Sequence, residues 1–126
     1  DIWTVEDYHR CRAVSGCEDV MIGRGLIANP FLAQAIQSGD DGLEADATWP
    51  VTLELVQLYH QMVMSRLEPR HINGRTKQWL RMMQRHYPQA EGLFMQVRAE
   101  RDPQRFTDLL RHHRESLAID ADRQAF

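Results

Sequence analysis

A single β-favouring tripeptide, Val20-Met21-Ile22, interrupts a chain whose other apolar residues recur mainly at helical spacing. A short, wholly apolar run of this kind suits a strand covered on both faces of a parallel sheet. It cannot be such a strand alone, because its amides and carbonyls need neighbouring strands as partners. The chain also opens at Asp1 rather than at a methionine. Together these features predict the C-terminal part of a longer protein whose other strands lie upstream.

The residues around the tripeptide read as pieces of an α/β unit. Thr4-Val5-Glu6-Asp7 has the spacing of a capping box, with Asp where Glu or Gln is usual, so Thr4 is the expected N-cap of a first helix. Gly16 stands where that helix would end. Gly23-Arg24-Gly25 follows the tripeptide at once, and Pro30 opens a short helix to about Ile36. Residues 38–48 are acidic and punctuated by glycine, as in a linker between domains.

Beyond that linker the pattern is helical throughout. Leu55, Val56, Tyr59, Met62, Val63 and Leu67 form one apolar face after Pro50, a residue suited to a helix's first turn. A second helix is expected from Gly74 to Tyr87 and a third from Ala90 to Val97. Asp102-Pro103 then reads as a cap and first-turn proline for a fourth, striped by Phe106, Leu109, Leu110, His113 and Leu117. The expected architecture is mostly α: a strand, turn and helix from an α/β unit, joined to a small four-helix bundle.

The 126 residues suit one domain, or one small domain with part of another. No run is apolar enough to cross a membrane, and no signal peptide opens the chain. Two cysteines, Cys11 and Cys17, are too few for a disulfide scaffold, which favours a reducing cytoplasm. Both read as buried small hydrophobes. The net charge of −3 conceals an asymmetry. Residues 1–65 carry three basic groups against ten acidic ones, whereas residues 66–114 carry eleven against five. All the bases but Lys77 are arginines, whose planar fork suits phosphate contacts. Such an imbalance between halves points to a nucleic-acid face.

Two segments could carry chemistry. The amides of a glycine-rich turn after a strand can point at phosphate oxygens, although an ordinary strand-to-helix turn has the same residues. On the second expected helix, Lys77, Arg81 and Arg85 follow one another about 40° apart, on the side away from Trp79, Leu80, Met82, Met83 and Tyr87. A solvated face is the plain alternative. No acid lies between Glu68 and Glu91 to neutralise this row. The six histidines have no ligand spacing for a metal and read as surface or boundary residues. Trp3, Trp49 and Trp79 read as packing anchors.

Ser15-Gly16-Cys17-Glu18-Asp19-Val20-Met21-Ile22-Gly23-Arg24-Gly25 resembles the last barrel strand and flavin-phosphate turn of the bacterial tRNA-dihydrouridine synthases. Asp1-Ile2-Trp3 resembles the end of their preceding strand and turn. Arg75-Thr76-Lys77-Gln78-Trp79-Leu80, the stretch from Arg85 to Tyr87, and Glu91-Gly92-Leu93-Phe94 resemble the helical domain of their C-type branch. The likeness spans residues 1–98, and the last twenty-odd residues carry no recognisable motif.

The resemblance implies that residues 1–37 end an FMN-binding (βα)8 TIM barrel, that 38–48 link, and that 49–126 form a helical tRNA-binding domain. It implies an enzyme that uses NADPH, through FMN, to reduce a D-loop uridine of tRNA, at position 16 in the C-type branch. By position, Gly23, Arg24 and Gly25 would hold the FMN phosphate, and Arg75 and Lys77 would face tRNA, with Arg81 and Arg85 extending that surface. The proton-donating cysteine of the family belongs upstream, so no residue here is catalytic and the piece alone should be inert. A cytoplasmic protein, monomeric at full length and without metal, is expected. Two other classes remain open: a non-catalytic helical RNA-binding module, and a flavin-barrel oxidoreductase acting on small molecules.

Overall fold

Capping chemistry sets the first helix where its sequence places it. In the computed structural model, which describes residues 1–39 and 45–124, α1 spans Val5–Ser15. Thr4 Oγ1 accepts a 3.1 Å hydrogen bond from the Asp7 amide. The Asp7 carboxylate reaches back to the Trp3 amide at 3.0 Å, one residue before the cap itself. That bond is the main reason its pKa lies below 3.8. Gly16 ends the helix at φ 72°, a left-handed conformation in which a side chain would be strained.

The tripeptide departs from expectation. Residues 20–22 form no strand, and no strand occurs among the described residues. With no second strand beside it there is no ladder to join. Met21 is 93% exposed, and Val14 is also open to solvent. Cys17 is exposed and Cys11 half-buried, so neither is the buried hydrophobe expected. Gly23-Arg24-Gly25 leads into a short helix, α2 (Arg24–Ala28), and α3 follows as Leu32–Ser38. Val5, Leu32 and Ala35 join Ile22, Leu26 and Ile36 in a small apolar cluster.

Residues 40–44 of the expected linker lie outside the described residues. From Ala45 the chain is already helical: α4 spans Ala45–Arg66 with Pro50 inside it. Then come α5 (Pro69–Met83), α6 (Pro88–Val97) and α7 (Pro103–Gln124). Each of these three opens on a proline, whose missing N–H would lack a helical partner at that position in any case. Asp102 caps α7 as its sequence predicts, accepting from the Arg105 amide at 2.9 Å.

The four long helices enclose the main core, in which Trp49, Leu53, Val56, Leu80, Met83, Tyr87, Leu93, Phe106 and Leu110 are essentially inaccessible. Burying a side chain of this size contributes about 1.5–3 kcal/mol. The face that α4 turns inward matches the expected stripe at Val56 but departs from it elsewhere. Trp49, Thr52, Leu53, Val56 and His60 are buried, whereas Leu55 and Met62 of the expected stripe remain exposed. The polar members of the buried face are all paired. Thr48 and Thr52 hydroxyls meet the Tyr87 hydroxyl at 2.7 and 2.8 Å. His60 Nδ1 lies 2.8 Å from Thr76 Oγ1, and its Nε2 lies 3.1 Å from the Pro103 carbonyl. Buried polar groups so satisfied cost little, and a hydropathy stripe cannot see them.

Candidate nucleic-acid interface

On α5, Ile72, Thr76, Leu80 and Met83 are buried at spacings of four, four and three, so this side faces the core. The expected basic row is carried by the rest of the helix, and the structure divides it. At about 100° per residue, Arg75 and Lys77 point some 160° apart. Arg75 lines an apolar groove of about 650 Å³ with Leu26, Tyr59 and Trp79. Lys77 leans the other way, and its ammonium donates to the Glu100 carbonyl at 2.9 Å. Partial burial lowers its pKa from 10.5, against the opposing pull of Glu100.

Arg81 lies on the exposed side, with its guanidinium 5.8 Å from the Phe94 ring centroid. The helix ends at Met83, earlier than its spacing predicts, so Arg85 sits in the turn that follows. That turn carries Arg85 to Trp3, where the guanidinium is 3.8 Å from the indole centroid. Arg24 reaches the same indole from α2, at 5.5 Å, while pairing with the Asp1 carboxylate. Trp3, Arg24, Gln78, Arg81 and Arg85 thereby line one open cleft of about 510 Å³. Among the described residues, no carboxylate pairs with Arg81 or Arg85. The result is a concave surface with three guanidiniums and a single acid, the electrostatic form that attracts a polyanion.

The two glycines before this cleft have different surroundings. A side chain at Gly23 would meet nothing within 4 Å, so that position is open. At Gly25 a Cβ would fall 1.9 Å from the Ile2 carbonyl oxygen. Gly25 therefore lets residues 1–3 lie against α2. The structure brings Arg24, Arg81 and Arg85 together and leaves Arg75 and Lys77 on separate flanks. The part of Trp3 could not be read from sequence, since only tertiary docking places it beside residues 82 positions away.

Three histidines are wholly or partly buried. His60, expected near the surface, is fully buried and stacks on Phe106 with ring centroids 4.6 Å apart. Burial lowers the pKa of His60, His86 and His113 below 6.5. No group of three or more His, Cys, Asp or Glu among the described residues could hold a metal ion. No helix among them is long and apolar enough to cross a membrane.

Residues 1–119 match the family model described as dihydrouridine synthase. The chain is 45% identical over 102 residues to a tRNA-dihydrouridine(16) synthase of Cupriavidus necator, covering 81% of this chain and 32% of that protein. It is 43% identical over 111 residues to the Pseudomonas putida protein of the same name, with 87% and 34% covered. For that of Escherichia coli O157:H7 the identity is 34% over 103 residues, with 78% and 30% covered. The chain thus spans about a third of the length of these curated relatives.

Proposed function

Because this chain belongs to the dihydrouridine synthase family, we propose that it is the C-terminal part of a flavin-dependent enzyme that reduces a D-loop uridine of tRNA to dihydrouridine. The relatives' shared name supports position 16 as the target. In this reading residues 1–37 close an FMN-binding barrel, 38–48 link, and 49–126 form the helical domain that holds tRNA. The enzyme works in the cytoplasm as a monomer.

The observation that carries the RNA side is the cleft that Arg81 and Arg85, free of carboxylate partners, line together with Trp3 and Arg24. Guanidiniums fix the register of a nucleic acid through its phosphates and do not read its bases. Arg75, at the apolar groove, and Lys77, on the other side of α5, would extend the contact beyond the cleft. Lys77 keeps two of its three N–H donors for that purpose.

The turn fits a flavin phosphate at Gly23, whose surroundings are open, and at the exposed Arg24. Gly25 supports the turn by admitting Ile2 beneath it. Bound FMN, reduced by NADPH, supplies the hydride for the uracil ring. The residues of this chain hold and orient, and none is placed to give or take the reaction's proton. Neither Cys11 nor Cys17 lies in the cleft.

Dihydrouridine content and tRNA affinity of the purified protein at full length test the reading together. A yellow protein that reduces tRNA uridine, and that loses affinity and salt dependence in Arg81→Ala/Arg85→Ala, is expected. A colourless protein that still binds tRNA would establish a non-catalytic RNA-binding module instead. Unchanged affinity in the double variant would remove the tRNA role of this cleft.

A further inference from the structure

Trp3 is the only aromatic residue on which two arginines from different parts of the fold meet among the described residues. Arg24 comes from α2 and Arg85 from the turn after α5, and the Trp3 amide is itself held by Asp7 at the start of α1. The backbone of Trp3 is thus tied to the start of α1 while its ring receives both guanidiniums. A cation over an indole face is attracted by the ring's quadrupole, and two like charges drawn to one ring are held closer than their repulsion would leave them. Asp1 offsets the charge of Arg24 alone.

We propose that Trp3 is a positioning residue for RNA: its ring holds Arg85 in the cleft, so that one stretch of phosphate backbone meets Arg85 together with Arg81 while Arg24 stays with the flavin-phosphate turn. The proposal rests on the tRNA reading of the cleft and adds to it the residue that arranges the contact. Trp3 acts through the Arg85 guanidinium, and its removal would free Arg85 to swing into solvent and lose its preorganised contact. A packing role alone would change stability without changing the number of phosphates engaged.

The two roles separate in tRNA binding measured against salt, on the protein at full length. Trp3→Ala should lower affinity roughly tenfold and reduce the slope of log K against log salt by about 0.7–0.9, one phosphate contact. Trp3→Phe, which retains an aromatic face, should restore most of both. In Arg85→Ala the further change Trp3→Ala should cost little, because the residue it positions is gone. Should Trp3→Ala prevent folding, Trp3→Leu keeps the apolar contact without the ring and carries the same expectation.

A lowered melting temperature with an unchanged salt slope in Trp3→Leu would overturn the proposal, as would fully additive losses in the double variant. Arg85→Ala with Trp3 intact reads the cleft separately. If it leaves affinity and slope untouched, the tRNA reading itself fails. If it lowers both while Trp3→Leu does not, only the positioning role fails.

Discussion

Lys77 donates a 2.9 Å hydrogen bond to the backbone carbonyl of Glu100, joining α5 to the connection between α6 and α7. Asn73, one turn earlier on α5, donates to the same carbonyl, also at 2.9 Å. The only lysine of the chain is thus engaged in holding a bend as well as flanking the basic cleft. Lys77→Met keeps the stem and removes the ammonium, and should cost about 1 kcal/mol of stability. Thermal unfolding reads this directly. The salt slope of tRNA binding should change less than in Arg81→Ala. An unchanged melting temperature with a slope change as large as that of Arg81→Ala would assign the ammonium to RNA instead.

Acid should destabilise the bundle before it protonates the carboxylates. His60, His86 and His113 are held below 6.5 chiefly by burial. Above that value each is neutral in both the folded and the unfolded chain. As pH falls through it, the unfolded chain takes up protons that the folded one refuses, so stability declines. Melting temperatures followed downward from neutral pH should fall once pH passes below about 6.5. His60→Gln retains a donor and an acceptor near Thr76 and Pro103 but cannot titrate, and its decline should be shallower. A profile flat to the carboxylate range would contradict the buried, neutral state of these rings.

The order of helices and several of their ends could be read from the chain because they depend on local chemistry. Thr4, Gly16 and Asp102-Pro103 act within a turn of themselves. The strand expected at residues 20–22 was not realised, since a strand is a relation between segments and the described residues contain no partner. The inward face of α4 was hidden for a different reason. Thr52 and His60 look like solvent-facing residues until Tyr87, Thr76 and Pro103 are brought to them. The basic cleft was half legible. Its arginines stood out as charge, but their convergence depends on where α5 stops and on Trp3, which hydropathy and spacing do not encode.

The Tyr87 hydroxyl lies between Thr48 and Thr52, at 2.7 and 2.8 Å, in a fully buried position. Tyr87→Phe would leave both threonine hydroxyls without this partner, a loss of about 1–3 kcal/mol. Adding Thr52→Val to Tyr87→Phe should recover part of it, because one orphaned hydroxyl is then removed. Chemical denaturation of the three proteins checks both statements. Equal stability of Tyr87→Phe and the parent would mean that the hydroxyls find other partners.

The two glycines of the Gly-Arg-Gly turn should respond oppositely to alanine. At Gly25 the new methyl group would lie 1.9 Å from the Ile2 carbonyl oxygen. That neighbour is backbone, so relief requires residues 1–3 to move off α2, at a cost of about 1–3 kcal/mol. The displacement carries Trp3 with it, so Gly25→Ala should also weaken tRNA binding. At Gly23 the methyl group meets nothing within 4 Å. Gly23→Ala should therefore leave the stability within about 0.5 kcal/mol of the parent's. If the turn approaches a flavin phosphate closely, Gly23→Ala should nevertheless reduce FMN retention in the full-length protein. Full retention, together with unchanged stability, would show that the turn at Gly23 does not meet the phosphate.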